Sequence, residues 1–183
     1  DTRRVVELLD GDVRRLRDLV EELLELSRLD RTGTGTEVER SEVDVVRLLA
    51  AIVDGRLPRA EVRATEPLRV RTDRRRLERI VANLVDNARV HGGGAVSVTA
   101  GLEGTSLVVE VADRGPGVPE DQLERIFDRF TKADAARGGG SGLGLAIVRE
   151  HARLLRAQVS ARNREGGGLA VQVRIPVEVV AEL

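Results

Sequence analysis

Two asparagines, Asn83 and Asn87, stand four residues apart in the segment "NLVDNA". This spacing places both side chains on one face of a helix. An amide oxygen can ligate Mg²⁺ while an amide nitrogen donates to a phosphate, so the pair could hold a magnesium-bound phosphate chain. The alternative is two solvent-facing amides on an amphipathic helix, and taken alone the pair favours that alternative.

A second group of residues begins at Asp113, in the segment "DRGPGVP" that follows an apolar stretch. An aspartate at a strand end can accept a hydrogen bond from an exocyclic amine. The adjacent Gly115 and Gly117 would let the backbone approach a flat ring. These residues could form a purine-sized site. A tight turn uses the same residue types and, in isolation, explains them as well.

A third group is the glycine run in "GGGSGLGLAIV", which leads directly into an apolar helix. Its residues include Gly140, Ser141, Gly142, Leu143 and Gly144. Glycines leave backbone N–H groups unhindered at a helix N-terminus, where the helix dipole favours anions. The run therefore predicts a phosphate cradle. It is neither the dinucleotide-binding pattern nor a Walker loop, because no Gly-Lys-Ser/Thr follows.

The two aromatic residues of the sequence, Phe127 and Phe130, precede this glycine run. We expect them to pack together at the base of the loop "TKADAARGGG". Lys132 and Arg137 in that loop could then move over bound phosphates as a lid.

A long N-terminal helix is predicted by apolar residues spaced alternately three and four apart. The seam consists of Val6, Leu9, Val13, Leu16, Val20 and Leu23. A single helix cannot bury such a seam, and six buried side chains of this size would contribute on the order of 9–18 kcal/mol before entropy is subtracted. We therefore expect a homodimer that forms through residues 2–30.

The rest of the chain alternates predicted strands and helices, with Asp44 and Asp73 as helix caps. The strands "AVSVTAG" and "SLVVEVAD" form a hairpin, "EDQLERIF" forms a short helix, and "AQVSARN" and "LAVQVRIP" are joined through glycines. The predicted fold class is α+β, a two-layer α/β sandwich whose mixed sheet is covered by helices. We divide the chain into the long helix (1–31), a hinge (32–36), a catalytic and ligand-binding domain (37–177) and a tail (178–183).

Composition excludes several classes of protein. The chain has 30 basic and 31 acidic residues, so no global field attracts nucleic acid or an anionic membrane. It has no cysteine, which excludes disulfides and thiolate metal sites. It has no apolar run of transmembrane length. We expect no nucleic-acid partner, no membrane contact by this segment, and a cytoplasmic location.

The order of these motifs resembles the catalytic and ATP-binding domain of sensor histidine kinases, in the Bergerat-type ATPase superfamily. "NLVDNA" is similar to the N box, "DRGPGVP" to the G1 box, "FDRF" to the F box and "GGSGLGLAIV" to the G2 box. The segment "LVEELLELSRLD" is similar to the second helix of the dimerisation and phosphotransfer bundle. The resemblance covers nearly the whole chain.

The resemblance implies a role for each motif. Asn87 would ligate Mg²⁺, Asn83 would support the phosphates, and Asp113 would bond the adenine amine. The family often has a basic residue three positions after the second asparagine, where this sequence has Val90. The residues that the resemblance assigns to ATP are Asn83, Asn87, His91, Asp113, Gly115, Gly117, Lys132, Arg137, Gly140, Ser141, Gly142, Leu143 and Gly144.

The family carries its phosphoacceptor histidine on the first bundle helix, which we expect to precede this sequence. His91 and His151 are the two histidines present, and a lone helical histidine is usually structural. We expect this segment to bind ATP and Mg²⁺ without phosphorylating itself. In the whole protein, which we expect to be membrane-anchored, the phosphate would pass to that histidine and then to a response regulator aspartate.

Two other functions remain open. An anti-sigma-factor-type serine kinase has related asparagine and glycine boxes, but it would not explain the Phe-x-x-Phe segment or the N-terminal heptads. A non-catalytic, dimerising module that responds to ATP would use the same pocket without phosphotransfer.

Overall fold

A computed structural model of the chain describes residues 2–31, 38–57, 60–64, 68–92, 96–131 and 141–180, and in the first helix the side chains of Val13 and residues 16–31. The helices are α1 (Thr2–Arg31), α2 (Val45–Arg56), α3 (Arg74–His91) and α4 (Gly144–Leu154). The strands are β1 (Ser41–Asp44), β2 (Glu61–Ala64), β3 (Arg69–Thr72), β4 (Ser97–Glu103), β5 (Ser106–Ala112), β6 (Gln158–Asn163), β7 (Leu169–Pro176) and β8 (Glu178–Val179).

Both predicted aspartate caps are confirmed. The Asp44 carboxylate accepts a hydrogen bond from the Arg47 backbone N–H over 3.1 Å, and the Asp73 carboxylate accepts one from the Arg76 N–H over the same distance. Each bond satisfies an N–H group that the first helical turn leaves unpaired. Asp73 is buried and also pairs with the Arg76 guanidinium at 3.0 Å, which fixes the start of α3.

The strands form two sheets. The larger sheet has the order β2-β4-β5-β7-β6, in which β2 runs parallel to β4 and every other neighbouring pair is antiparallel. The smaller sheet is antiparallel, with the order β1-β3-β8. Glu178 and Val179, predicted to lie in a tail, pair with Arg71 and Val70 of β3.

Helices α2, α3 and α4 cover one face of the five-stranded sheet. The inward side chains, such as Val98, Val109 and Val173, are fully buried against the apolar sides of these helices in one continuous core. The opposite face carries polar residues, and there Glu110 of β5 pairs with Arg162 of β6 at 2.8 Å. The predicted α+β class with a helix-covered mixed sheet is confirmed.

The predicted short helix "EDQLERIF" is wrong. The structure has two separate 3₁₀ turns, Glu120–Gln122 and Arg125–Phe127. The Leu123 N–H donates to the Glu120 carbonyl over 3.3 Å, an i to i−3 bond that closes the first turn. Eight residues provide few hydrogen bonds to offset helix nucleation, so packing of Ile126 and Phe127 into the core decides the local conformation.

Helix α1 contacts the rest of the molecule through its last turns. Leu26 is 1% exposed and packs against Leu143 and Ile147, at the start of α4 and within it. In contrast, the seam residues Val13 and Leu16 are 62% and 64% exposed. Among the residues that the structure describes, no helix combines the length and the apolar character needed to cross a membrane.

Candidate functional site

Helix α3 carries the two asparagines, both half-buried. The Asn83 side-chain nitrogen donates to the Arg79 carbonyl over 2.8 Å. Its Oδ1 faces Gly144, where an added Cβ would lie 3.3 Å away. A side chain at position 144 would therefore require Asn83 to shift. The N-terminus of α4 is thus held next to the asparagine face of α3.

Asp113 ends its strand as a buried carboxylate, 5% exposed. Its Oδ1 accepts two backbone hydrogen bonds, from the Gly115 N–H at 2.8 Å and from the Leu169 N–H at 3.1 Å. The Asp113 N–H also donates to the Leu169 carbonyl over 2.9 Å. These bonds compensate the cost of burying the side chain and orient it.

The end of α3 packs closely against the loop that begins at Asp113. The Arg114 N–H donates to the Gly92 carbonyl over 3.2 Å. A Cβ added to Gly115 would lie 2.3 Å from the His91 carbonyl oxygen, and one added to Gly92 would lie 2.5 Å from the Asp113 Cβ. Only glycine permits such approaches, so the G1-like segment is joined directly to the helix of the asparagines.

The glycine segment before α4 is tied to the Phe-x-x-Phe segment. The Phe130 N–H donates to the Gly142 carbonyl over 2.9 Å. Gly142 has a φ of +74°, and an added Cβ would lie 3.1 Å from the Phe130 backbone. Ser141 Oγ accepts from the Leu143 N–H at 3.1 Å. Lys132, Arg137 and Gly140 of the predicted lid lie outside the described residues.

The two phenylalanines have different surroundings. Phe127 is buried in the core, whereas Phe130 is 60% exposed and has a φ of +61°. The prediction that both rings pack at the base of the loop therefore holds for Phe127 alone. The Phe130 backbone is engaged with Gly142 and adopts a conformation that turns its ring to solvent.

Two other predicted site residues lie at the edge of this region. The His91 side chain is exposed at the last turn of α3, while its carbonyl meets Gly115. Leu143 is completely buried beneath Leu26 of α1. Its N–H donates to Ser141 Oγ and its carbonyl accepts from the Ile147 N–H, so it positions the start of α4 and offers neither its side chain nor its backbone to a ligand.

Sequence reasoning missed an ionic cluster that joins α1 to α3 and α4. His151 Nε2 lies 2.9 Å from Glu25 Oε1, and Arg79 donates to the same carboxylate through Nε at 2.7 Å and through Nη2. Burial raises the pKa of Glu25, but the hydrogen bonds from His151 and Arg79 outweigh burial and hold that pKa at about 2. No local signal could have indicated a pair separated by 126 residues.

Helix α3 therefore brings together three features: an amide pair on its side, a buried carboxylate at its C-terminal end, and a glycine-entered helix N-terminus. Amide oxygens suit hard cations, a fixed carboxylate suits an amine, and a helix N-terminus suits phosphate. In an α+β sandwich, this combination defines a nucleotide-binding domain. The sequence profile of the histidine kinase-, DNA gyrase B-, and HSP90-like ATPases matches residues 72–179, more than half of the chain.

The chain belongs to this ATPase family, and residues 72–179 are its ATP-binding domain. Signal transduction histidine-protein kinase AfsQ2 of Streptomyces coelicolor is 42% identical over 175 residues, which cover 93% of this chain and 32% of that protein. The chain spans about a third to a half of the length of the curated relatives it matches.

Solved structures of histidine kinases share the fold. Full-length ShkA, crystallised in complex with AMPPNP, matches with a TM-score of 0.82 at 28% identity, over 98% of this chain and 40% of that one. A nucleotide-free catalytic domain of histidine kinase ThkA matches with a TM-score of 0.65 at 28% identity, over 75% of this chain and 95% of that domain. The first match includes α1 as well as the ATP-binding domain.

Proposed function

We propose that this chain is the ATP-binding catalytic part of a two-component sensor histidine kinase. In the whole protein, it would transfer the γ-phosphate of ATP to a histidine on the first helix of the dimerisation bundle, from which the phosphate passes to a response regulator aspartate. The observation that carries the proposal is the convergence on α3 of the asparagine face, the Asp113 carboxylate and the N-terminus of α4.

Asp113 would recognise the adenine ring. Two backbone N–H groups already occupy its Oδ1, so Oδ2 is the atom we assign to the exocyclic amine. A buried carboxylate held in one orientation discriminates well, because a purine without that amine would leave it unpaired in a poorly solvated site. Gly115 and Gly117 let the backbone lie against the ring.

Asn87 would ligate Mg²⁺. The donor set fits, because Mg²⁺ takes few protein ligands and completes its coordination with phosphate oxygens and water. Among the residues that the structure describes, no group of three or more histidine or acidic side chains could hold a metal ion. Phosphate and water would therefore supply most ligands of a Mg²⁺ ion at Asn87. When bound, Mg²⁺ would neutralise phosphate charge, while Asn87 supplies one amide oxygen to it.

The glycine-entered N-terminus of α4 would face the phosphates. Asn83 has its amide nitrogen on the Arg79 carbonyl and its Oδ1 beside Gly144, so we assign it the support of this first turn. Ser141 caps the Leu143 N–H and leaves the next N–H groups of the turn for an anion. Lys132 and Arg137 remain the proposed lid cations, and His91 a residue of the pocket rim.

The same observations bear on the two alternatives. The docked helix α1, with its exposed apolar seam, fits a dimerisation bundle better than a serine kinase of the anti-sigma type. We propose that the chain forms a homodimer through residues 2–30. A dimerising module without phosphotransfer shares this seam, so catalysis must be tested separately from binding.

Calorimetric titration of ATP and Mg²⁺ into the folded protein tests the site. We expect saturable binding that Asp113→Asn and Asn87→Asp each weaken by about tenfold or more, because each alters a direct contact to the nucleotide or its metal. Asp86→Asn is the matched control, since Asp86 lies beside Asn87 and pairs instead with Arg56 at 3.2 Å. A folded parent that binds no ATP would contradict the proposal.

Phosphotransfer would separate the kinase from the interaction module. Radiolabelled ATP is incubated with this chain and with a second polypeptide that carries the first bundle helix of the parent protein. We expect label on the histidine of that second polypeptide, and none after Asn87→Asp. Binding of ATP without any transfer would favour the interaction module.

A further inference from the structure

The turn segment that joins β6 to β7 contacts the loop of residues 113–118, here called the Asp113 loop, at both ends of that loop: at Asp113 and at Val118. We propose that Asn163 and Arg164, which open this turn, are positioning residues that hold the loop so that Asp113 selects adenine over other purines. The inference rests on the proposed function, since it concerns the same nucleotide site. Neither residue belongs to the motifs that identify the site in the sequence.

Arg164 holds the first end of the loop. Its Nη1 donates a hydrogen bond to the backbone carbonyl of Asp113. The turn folds back on itself, because the Arg164 N–H donates to the Gly168 carbonyl over 2.9 Å and the Gly167 N–H donates to the Arg164 carbonyl over 3.1 Å. A Cβ added to Gly168 would lie 2.1 Å from the Asp113 carbonyl oxygen. The half-buried Arg164 side chain therefore reaches a carbonyl already enclosed by the turn.

Asn163 holds the second end of the loop. Its Oδ1 accepts from the Val118 N–H at 2.9 Å and its Nδ2 donates to the Val118 carbonyl at 2.7 Å. The side-chain amide thus satisfies both backbone groups of one residue, as a neighbouring strand would. Gly117 has a φ of +74°, and an added Cβ would lie 2.6 Å from Asn163 Oδ1, so this pairing requires glycine there.

The turn also orients the carboxylate itself. Leu169, the residue after Gly168, donates its N–H to Asp113 Oδ1. A displacement of the turn therefore moves the Asp113 backbone, through Arg164, and the Asp113 side chain, through Leu169. The direction of Oδ2 depends on both. Adenine selection needs that direction, whereas phosphate binding at α4 does not involve this turn.

Arg164→Met tests the inference, with Mg-ATP and Mg-ITP as ligands of the folded protein. Inosine carries an oxygen in place of the adenine amine, so ITP reports binding without the Asp113 contact. We expect Arg164→Met to weaken ATP binding about tenfold and ITP binding less than twofold, because one charge-assisted hydrogen bond that orients Asp113 is lost. Arg164→Lys, which keeps a donor, should recover part of the discrimination.

Arg162→Met is the matched control, because Arg162 lies two residues before Arg164, within β6, and pairs with Glu110 on the outer face of the sheet. It should change neither affinity. Asn163→Ala is the second variant: its side chain is exposed, so folding is not at risk, and it should also lower the ratio of ATP to ITP affinity.

The outcomes separate the two proposals. A folded parent that does not bind ATP contradicts the proposed function. If the parent binds ATP with preference over ITP and both Arg164→Met and Asn163→Ala leave that preference unchanged, the positioning role is wrong. Equal losses for ATP and ITP would also overturn it, since they would reduce the turn to general support of the domain.

Discussion

The two halves of α1 differ in what covers them and in which side of the helix is apolar. The seam of alternating spacings ends at Leu23, and its next positions are Ser27 and Asp30. Its docked end, residues 25–30, buries Leu26 against Leu143 and Ile147 and places Glu25 between Arg79 and His151. Its open stretch, residues 13–24, leaves Val13 and Leu16 largely exposed. The heptad pattern predicts that the seam side of the helix is covered, but it does not predict the separate contact that Leu26 makes within the chain.

The docked end contacts the rest of the chain through an apolar side chain, Leu26, and a charged one, Glu25. The open stretch presents an exposed apolar seam. A seam of this size is seldom left in water, because isolated soluble chains rarely expose contiguous apolar patches of several hundred Å². The docked end is therefore an intramolecular interface, and the open stretch is the surface that we assign to a partner helix.

The largest expected effect is that of Leu26→Ala at the docked end. Removing a fully buried leucine side chain leaves a cavity and should lower the free energy of unfolding by about 2–4 kcal/mol. Leu24→Ala, at an exposed position of the same helix, is the control and should cost less than about 0.5 kcal/mol in the monomer. Urea unfolding at low protein concentration measures both. Equal costs would mean that α1 is not docked through Leu26.

The open stretch is tested by Leu16→Glu. We expect the dissociation constant of the dimer to rise about 100-fold, which corresponds to ~2.7 kcal/mol. The change removes an apolar contact and buries a charge in the seam. Sedimentation velocity over a range of concentrations gives the dissociation constant. Arg17→Glu places the same carboxylate at an exposed position beside the seam. It changes the charge by two units instead of one and should still have a much smaller effect. A parent that is monomeric throughout the range would contradict self-association through residues 2–30.

Acid should weaken the docked end through Glu25. The pKa of this carboxyl is about 2 in the folded chain and 4.5 in its ordinary state, so its stabilisation is fully present above about pH 5 and is lost as the pH falls from 4.5 towards 2. Allowing for screening by solvent, we expect Glu25→Gln to cost about 1–2 kcal/mol at pH 7 and almost nothing near pH 2.

Urea unfolding of the parent and of Glu25→Gln at several pH values measures this dependence. Glu21→Gln is the control, because Glu21 lies one turn earlier in an exposed pair with Arg17 at 3.8 Å. A difference between parent and Glu25→Gln that stays constant from pH 7 to pH 3 would show that the carboxylate does not stabilise the docked helix.

The smallest effect is expected for Arg129→Met, at the rim of the same interface. Arg129 donates to Asp30 at the end of α1, but both side chains are well exposed. Exposed ion pairs contribute little, because water and salt screen them. We expect no resolvable change in the unfolding midpoint. A clear drop would extend the docked end to the last residues of the helix.

Much of the local structure could be predicted from the sequence. Asp44 and Asp73 begin their helices as expected, and the strands on either side of "LEGT" form the expected hairpin. Such features depend on contacts between residues a few positions apart, which spacing and residue type record directly. The segment "EDQLERIF" fails for the opposite reason, because core packing of Ile126 and Phe127 outweighs its weak helical preference.

For the candidate site, the sequence alone determined which residue types are available: an amide pair, a strand-end carboxylate and a glycine run before a helix. Their order along the chain indicated a histidine kinase-like ATPase, and the family match agrees with it. The structure decided their arrangement, since only packing of α3 against α4 and against the Asp113 loop makes the three groups neighbours.

The tertiary structure alone also decided the contacts that support these groups. Glu25 meets His151 across 126 residues, and Asn163 meets Val118 across 45. Phe130, expected in a packed pair, has an exposed ring, and its backbone N–H donates to the distant Gly142 carbonyl. Periodicity reports which face of an element is apolar, whereas partners so distant are set by the strand order β2-β4-β5-β7-β6 and by close packing, which no local spacing encodes.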